Sequence, residues 1–129
     1  EGVWDAIELL GADRIDHGVR AVEDPKLVDA LAEREIPLNI CPTSNVTIGL
    51  FDSLKNHPIE KFRQVGIPVS INTDDPAYLG IRLDREYGKC ADAFGWDDAT
   101  IRQMAAMSVT ASFADLSLQK KLLAEIDAW

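Results

Sequence analysis

Ile67-Pro68-Val69-Ser70-Ile71-Asn72-Thr73-Asp74-Asp75-Pro76 is an alternating run that ends in two carboxylates and a proline. Successive side chains of an extended strand point to opposite faces, so Ile67, Val69 and Ile71 share one face and Ser70, Asn72 and Asp74 the other. One face is then built to meet helices while the other carries polar groups, which suits the inner mouth of a barrel. Two upstream stretches also end in polar clusters, the first of them only weakly strand-like by itself and read as a strand from its surroundings. They are Arg14-Ile15-Asp16-His17-Gly18, and Ile36-Pro37-Leu38-Asn39-Ile40-Cys41 running into Pro42-Thr43-Ser44-Asn45. The loop from a buried strand to a helix is where α/β proteins place their chemistry, so a histidine and a carboxylate pair at such ends suggest part of an active site.

The segments between these runs read as helices. Val3, Trp4, Ile7 and Leu10 recur at helical spacing, with Gly11 where a helix would stop. Asp24-Pro25 is an N-cap with proline at the first helical position, and Leu27, Val28 and Leu31 line one face of the helix it opens. Thr43 to Asn56 reads as a loop. Pro58 then opens a helix with Ile59, Phe62 and Val65 on one face and Gly66 at its end. Beyond the third strand come helices marked by Leu83, Tyr87, Ala91 and Phe94, by Ile101, Met104 and Ala105, and by Leu122, Leu123, Ile126 and Trp129. Strands separated by single helices of this length pair through right-handed crossovers. The sequence therefore predicts parallel strands near residues 13–17, 36–41 and 67–72, with His17, Cys41 and Asp74 at one end. No repeat or linker divides the chain, so residues 1–129 read as one unit.

Composition bounds the function. At 129 residues, with 47% hydrophobic and 27% charged residues, the chain reads as an ordinary globular protein with a real core. The formal charge of -9 argues against a nucleic-acid partner, which requires clustered Lys and Arg. No stretch approaches the roughly 18 uninterrupted apolar residues of a membrane span, and no basic-then-apolar leader is seen, so no membrane role and a cytoplasmic location are expected. Cys41 and Cys90 lie far apart without metal-ligand spacing and read as reduced structural thiols. A helical pattern is under way by Val3, as in a segment of something longer.

Taken singly, each cluster has a plain alternative. Asp74-Asp75-Pro76 fits helix-start punctuation, yet two adjacent carboxylates at a strand end can also face different ligands, one a metal and the other a substrate donor. His17 reads as a turn histidine or as an imidazole presented above the sheet. His57, before Pro58, reads as the cap region of a helix, well outside any site. Cys41-Pro42-Thr43-Ser44-Asn45 lacks a Gly-x-Ser-x-Gly elbow and an adjacent histidine, so its hydroxyls and amide are expected to hold the loop by turn-type hydrogen bonds. No Gly-rich loop precedes a helix to cradle a phosphate.

Together and in this order, the three clusters resemble the adenosine deaminase-like family of metal-dependent hydrolases, over nearly the whole chain. The resemblance implies a (β/α)₈ barrel of which this chain is the C-terminal part, its last three strands and their helices, since a whole barrel takes about 250 residues. It implies hydrolytic replacement of a purine 6-amino group by oxygen, with release of ammonia. It also implies a Zn²⁺ ion that lowers the pKa of a bound water. By the same resemblance, Asp74 is the carboxylate ligand of that metal and accepts a hydrogen bond from the attacking water. His17 orients the hydroxide and stabilises its charge. Asp75 meets purine N7, one partner being protonated, because carboxylate and N7 both accept.

The family's His-x-His pair and its His-Ala-Gly-Glu segment do not occur here, where His17 and His57 are the two histidines. The resemblance places both motifs upstream, so the 129 residues alone are expected to hold zinc weakly and to be inactive. Adenosine is the first expected substrate, with adenine or the aminodeoxyfutalosine of menaquinone synthesis next. A non-catalytic fragment or assembly subunit is the contrasting reading. Three strands leave two sheet edges uncovered, which implies a missing N-terminal barrel half or self-association.

Overall fold

The computed structural model describes residues 2–129, and its centre is a three-stranded sheet. Strands β1 (Ile15–Asp16), β2 (Leu38–Ile40) and β3 (Val69–Ile71) lie side by side in chain order, all parallel. Ile15, Leu38 and Val69 are in register, as are Asp16, Asn39 and Ser70. The regular strands are shorter than the expected 13–17, 36–41 and 67–72. Ladder hydrogen bonds nevertheless run past their ends, from Ile15 N–H to Pro37 C=O (2.9 Å), His17 N–H to Asn39 C=O (2.8 Å), Leu38 N–H to Pro68 C=O (2.9 Å) and Asn72 N–H to Ile40 C=O (2.8 Å). Pro37 and Pro68 have no N–H to give, so each sits at a strand start and serves as an acceptor.

The helices are α1 (Gly2–Glu8), α2 (Pro25–Glu33), α3 (Pro42–Thr47), α4 (Ile59–Gln64), α5 (Pro76–Leu79), α6 (Leu83–Phe94), α7 (Asp98–Thr110) and α8 (Leu116–Asp127). Short 3-10 turns occupy Val19–Glu23 and Leu54–Asn56. The Asp24 side chain accepts from Lys26 N–H and Leu27 N–H, which starts α2 as the Asp-Pro pair predicts. Asp97 and Asp115 cap α7 and α8 in the same way. Leu27, Val28, Leu31, Leu38, Ile40, Ile59, Phe62, Ile67, Val69 and Met104 are buried in one cluster between the sheet and its helices. None of the described helices is long and apolar enough to cross a membrane.

Three expectations need correction. The Thr43–Asn56 loop contains α3 and a 3-10 turn, because Pro42 opens a helical turn in which Asn45 N–H reaches Cys41 C=O (2.9 Å). Leu10 and Val65, placed on core faces, are exposed: α1 ends at Glu8 and α4 at Gln64, so neither residue lies on the helical face the spacing assumed. Trp129 lies beyond α8 and is also exposed.

On the face of the sheet opposite this core, the in-register polar residues join the strands. Asn39 Nδ2 donates to Asp16 Oδ1 (2.6 Å), Ser70 Oγ donates to Asn39 Oδ1 (2.8 Å), and Asn72 Nδ2 donates to Ser70 Oγ (2.9 Å). A parallel sheet with a polar inner face thus satisfies its polar groups laterally, one strand to the next.

Candidate active site

Because the strands are parallel, their C-terminal ends lie together, and the residues just beyond them line one open cleft of about 380 Å³. Its walls include Asp16, His17, Asn39, Cys41, Asn72 and Asp74. A larger groove of about 720 Å³ also touches His17, but it runs along Val19, Ala21 and Leu27 and contains neither Cys41 nor Asp74. The smaller cleft is the one that brings His17, Cys41 and Asp74 together.

His17 and Asp74 are both held on left-handed backbone, at φ 60° and 61°. For residues bearing a Cβ this conformation costs of order 1–3 kcal/mol, and it persists where surrounding contacts over-determine it. Gly18 comes next after His17 at φ 64°, and a Cβ there would meet Leu38 Cδ2 at 2.9 Å. The His-Gly pair therefore turns the chain sharply off β1 and lifts the imidazole over the strand ends. The result brings His17 Nε2 to 3.9 Å from Asp74 Oδ2, with the two side chains 40% and 38% exposed.

α3 supports this pair from beneath. Ser44, buried, donates from Oγ to Asp74 Oδ2 at 2.6 Å. Asn45, also buried, has Nδ2 at 3.2 Å from His17 Nδ1 and Oδ1 at 3.1 Å from His57 Nε2. Thr43 donates both its N–H (3.0 Å) and its hydroxyl to the carboxylate of Glu86, a buried residue of α6. The Thr43, Ser44 and Asn45 side chains thus reach across the fold to other elements, where turn-type bonds within a loop were expected. The local bond is Thr47 Oγ1 to Thr43 C=O.

The other candidate residues fall into distinct places. Asp75 sits exposed beside Asp74, at the start of α5, and its side chain caps nothing there. Asp75-Pro76 thus starts a helix as the punctuation reading expects, while the carboxylate makes no cap hydrogen bond. His57 is buried and its Nδ1 accepts from Ile59 N–H (3.2 Å), as the cap-region reading expects. It lies outside the cleft, yet Asn45 links it to His17. Burial holds the His57 imidazole down to about 4, so it is neutral at physiological pH. Cys41 and Cys90 are buried free thiols. Burial first, and the nearby Asp74 charge second, push the Cys41 thiol up to about 11, so it carries its proton and is a poor nucleophile.

Ligand-type atoms of His17, Cys41 and Asp74 all lie within 4.8 Å of one another. A catalytic zinc takes three protein ligands and a water. Of His17, Cys41 and Asp74, the Asp74 carboxylate offers a hard, anionic oxygen suited to a divalent ion, with Ser44 Oγ holding its Oδ2 at 2.6 Å. The donor chemistry therefore fits Asp74 as one ligand of such an ion.

Sequence comparison places this geometry among known proteins. The profile of the family described as adenosine deaminase matches residues 1–129. The aminodeoxyfutalosine deaminase of Streptomyces coelicolor is 42% identical over 127 residues, covering 98% of this chain and 33% of the relative. The crystal structure of adenine deaminase from Arthrobacter aurescens superposes with a TM-score of 0.95 at 34% identity, over 98% of this chain and 39% of that one. An amidohydrolase from Burkholderia ambifaria, solved with bound zinc, gives 0.84 at 28% identity, over 98% and 36%. The chain thus spans about a third of the length of the curated relatives it matches, and its fold is that of the C-terminal part of a (β/α)₈ barrel.

Proposed function

The chain belongs to the adenosine deaminase family, and we propose that it forms the C-terminal part of a zinc-dependent deaminase acting on the 6-amino group of an adenine ring. The observation that carries this reading is the convergence of His17 and Asp74, from the ends of β1 and β3, with Nε2 3.9 Å from Oδ2. A hydrolase that attacks an aromatic carbon needs an oriented water, a group to accept its proton, and a carboxylate to bind the ring.

In this reading Asp74 ligates the metal and accepts a hydrogen bond from the attacking water, while Ser44 holds its Oδ2 in place. His17 orients the attacking oxygen and stabilises the charge that develops on it. Asp75, exposed at the rim, hydrogen-bonds purine N7, one of the two carrying the proton between them. Zinc, when bound, supplies a water whose pKa lies near neutrality. The bound-zinc relative supports that choice of metal. The histidine ligands and the ring-protonating glutamate come from a barrel half that pairs along the open edges of β1 and β3.

Adenosine, adenine and aminodeoxyfutalosine share the adenine ring and differ at N9. Adenosine is the first expectation from the motifs. The names of the relatives favour aminodeoxyfutalosine and adenine over it. The test is ammonia release from each of the three by the complete protein with zinc supplied. At least one is deaminated, and the 129 residues alone deaminate none. Turnover by the 129 residues alone, or none by the complete protein on any of the three, contradicts the reading.

A further inference from the structure

The buried end of the His17 site is a hydrogen-bond chain whose direction is set by a backbone amide. Ile59 N–H can only donate, so the His57 Nδ1 it reaches at 3.2 Å presents a lone pair. His57 is buried and neutral, and its proton is therefore on Nε2, which donates to Asn45 Oδ1 at 3.1 Å. With its oxygen so occupied, the Asn45 amide turns its NH₂ toward His17. That NH₂ can only donate, so His17 Nδ1, 3.2 Å away, accepts. A neutral imidazole that accepts at Nδ1 carries its proton at Nε2, the nitrogen that faces Asp74 Oδ2. The Phe51 ring packs edge-on against His57 at 4.9 Å between centroids, which keeps the imidazole from turning over.

We propose that Asn45 and His57 are positioning residues that fix the tautomer of His17, so that His17 meets the reacting oxygen as a hydrogen-bond donor at Nε2. The relay starts at the first residue of α4, passes through α3 and ends at the turn after β1, so the orientation of the site histidine is referred to backbone far from the cleft. Its catalytic consequence rests on the deaminase reading; the tautomer itself does not. A donor at Nε2 cannot also take the proton of the attacking water there, which leaves that task to Asp74.

The test uses the complete protein with ¹⁵N-labelled histidine and three variants. The His17 tautomer is read from long-range ¹H–¹⁵N correlations, and kcat and KM are measured in parallel. Wild type is expected to show His17 protonated at Nε2. In Asn45→Asp a carboxylate accepts from both rings, so the His17 proton moves to Nδ1. The expected fall in kcat is about 10²-fold or more, between the 10–100-fold typical of partners behind a metal ligand and the about 10⁴-fold of a reversed histidine tautomer. KM should stay within about 3-fold, as the substrate contacts are untouched. His57→Gln retains a donor for Asn45 Oδ1 and should keep both the tautomer and kcat within about 10-fold, whereas His57→Leu should give mixed tautomers. Should Asn45→Asp not fold, the His57 pair decides by the same readout. A wild-type His17 protonated at Nδ1, or an unchanged tautomer in both Asn45→Asp and His57→Leu, overturns the relay. An Nε2-protonated His17 in a protein that deaminates nothing refutes the deaminase reading and leaves the relay standing.

Discussion

Glu86 is the residue on which the floor of the site rests, and its removal gives a loss that can be worked out in advance. Its buried carboxylate accepts the Thr43 N–H at 3.0 Å and the Thr43 hydroxyl, while Lys89 Nζ stands 3.8 Å from Oε1. Two charge-assisted bonds at about 1.5–3 kcal/mol each put the gross loss in Glu86→Ala at about 3–6 kcal/mol. Lys89 is 48% exposed, so its attraction adds no more than about 1 kcal/mol. Thr43 is half-buried, so water recovers part of what its donors lose, and the net expected cost is about 3 kcal/mol. Glu86→Gln keeps an acceptor for the Thr43 N–H and offers its amide to the hydroxyl, so it should cost only about 1–1.5 kcal/mol. Urea unfolding of the complete protein at pH 7, monitored by fluorescence, measures both. A Glu86→Ala loss below about 1 kcal/mol would show that α3 is held by packing, contrary to this reasoning.

The same geometry predicts three other outcomes. Gly18→Ala places a Cβ on left-handed backbone and 2.9 Å from Leu38 Cδ2, and should cost about 1–2 kcal/mol from backbone alone, with repacking added, read as a lower midpoint in thermal unfolding. His57 titrates at about 4 when folded against about 6.5 when unfolded, so the unfolded state binds the extra proton. The stability it contributes is full above pH 6.5 and is lost as pH falls toward 4. Between pH 7.5 and 5 that loss is about 2 kcal/mol, and it should shrink in His57→Gln when both are unfolded in urea at the two pH values. Cys41, buried and with its thiol pushed up to about 11, should resist alkylation at pH 7.5 in the native protein and react once urea unfolds it.

The features legible in the sequence are those that repeat locally. Alternation in Ile67-Val69-Ile71 and Leu38-Ile40, together with the Asp24-Pro25 start of α2, carries the parallel sheet and the common end for His17, Cys41 and Asp74. The features that are not legible depend on partners distant in the chain. Ser44 meets Asp74 30 residues away, Asn45 meets His17 28 residues away, and Thr43 meets Glu86 43 residues away. No spacing rule encodes such contacts. The six residues of α3 are too few to show a helical period, so a site-bearing helix reads as loop. Glu86 lies on a helix whose apolar positions set the pattern, and a buried carboxylate there looks like one more surface charge until Thr43 is seen against it.

If Asp74 holds the metal and Asp75 the purine, as we propose, metal content measured beside turnover separates the two roles. In the complete protein, Asp74→Ala is expected to be purified without stoichiometric zinc and to release no ammonia, since it removes both a ligand and the acceptor for the attacking water. Asp75→Ala should retain zinc at the wild-type ratio and deaminate slowly, having lost its bond to the purine. An Asp74→Ala protein that keeps its zinc and its turnover would show that other residues hold the metal and activate the water.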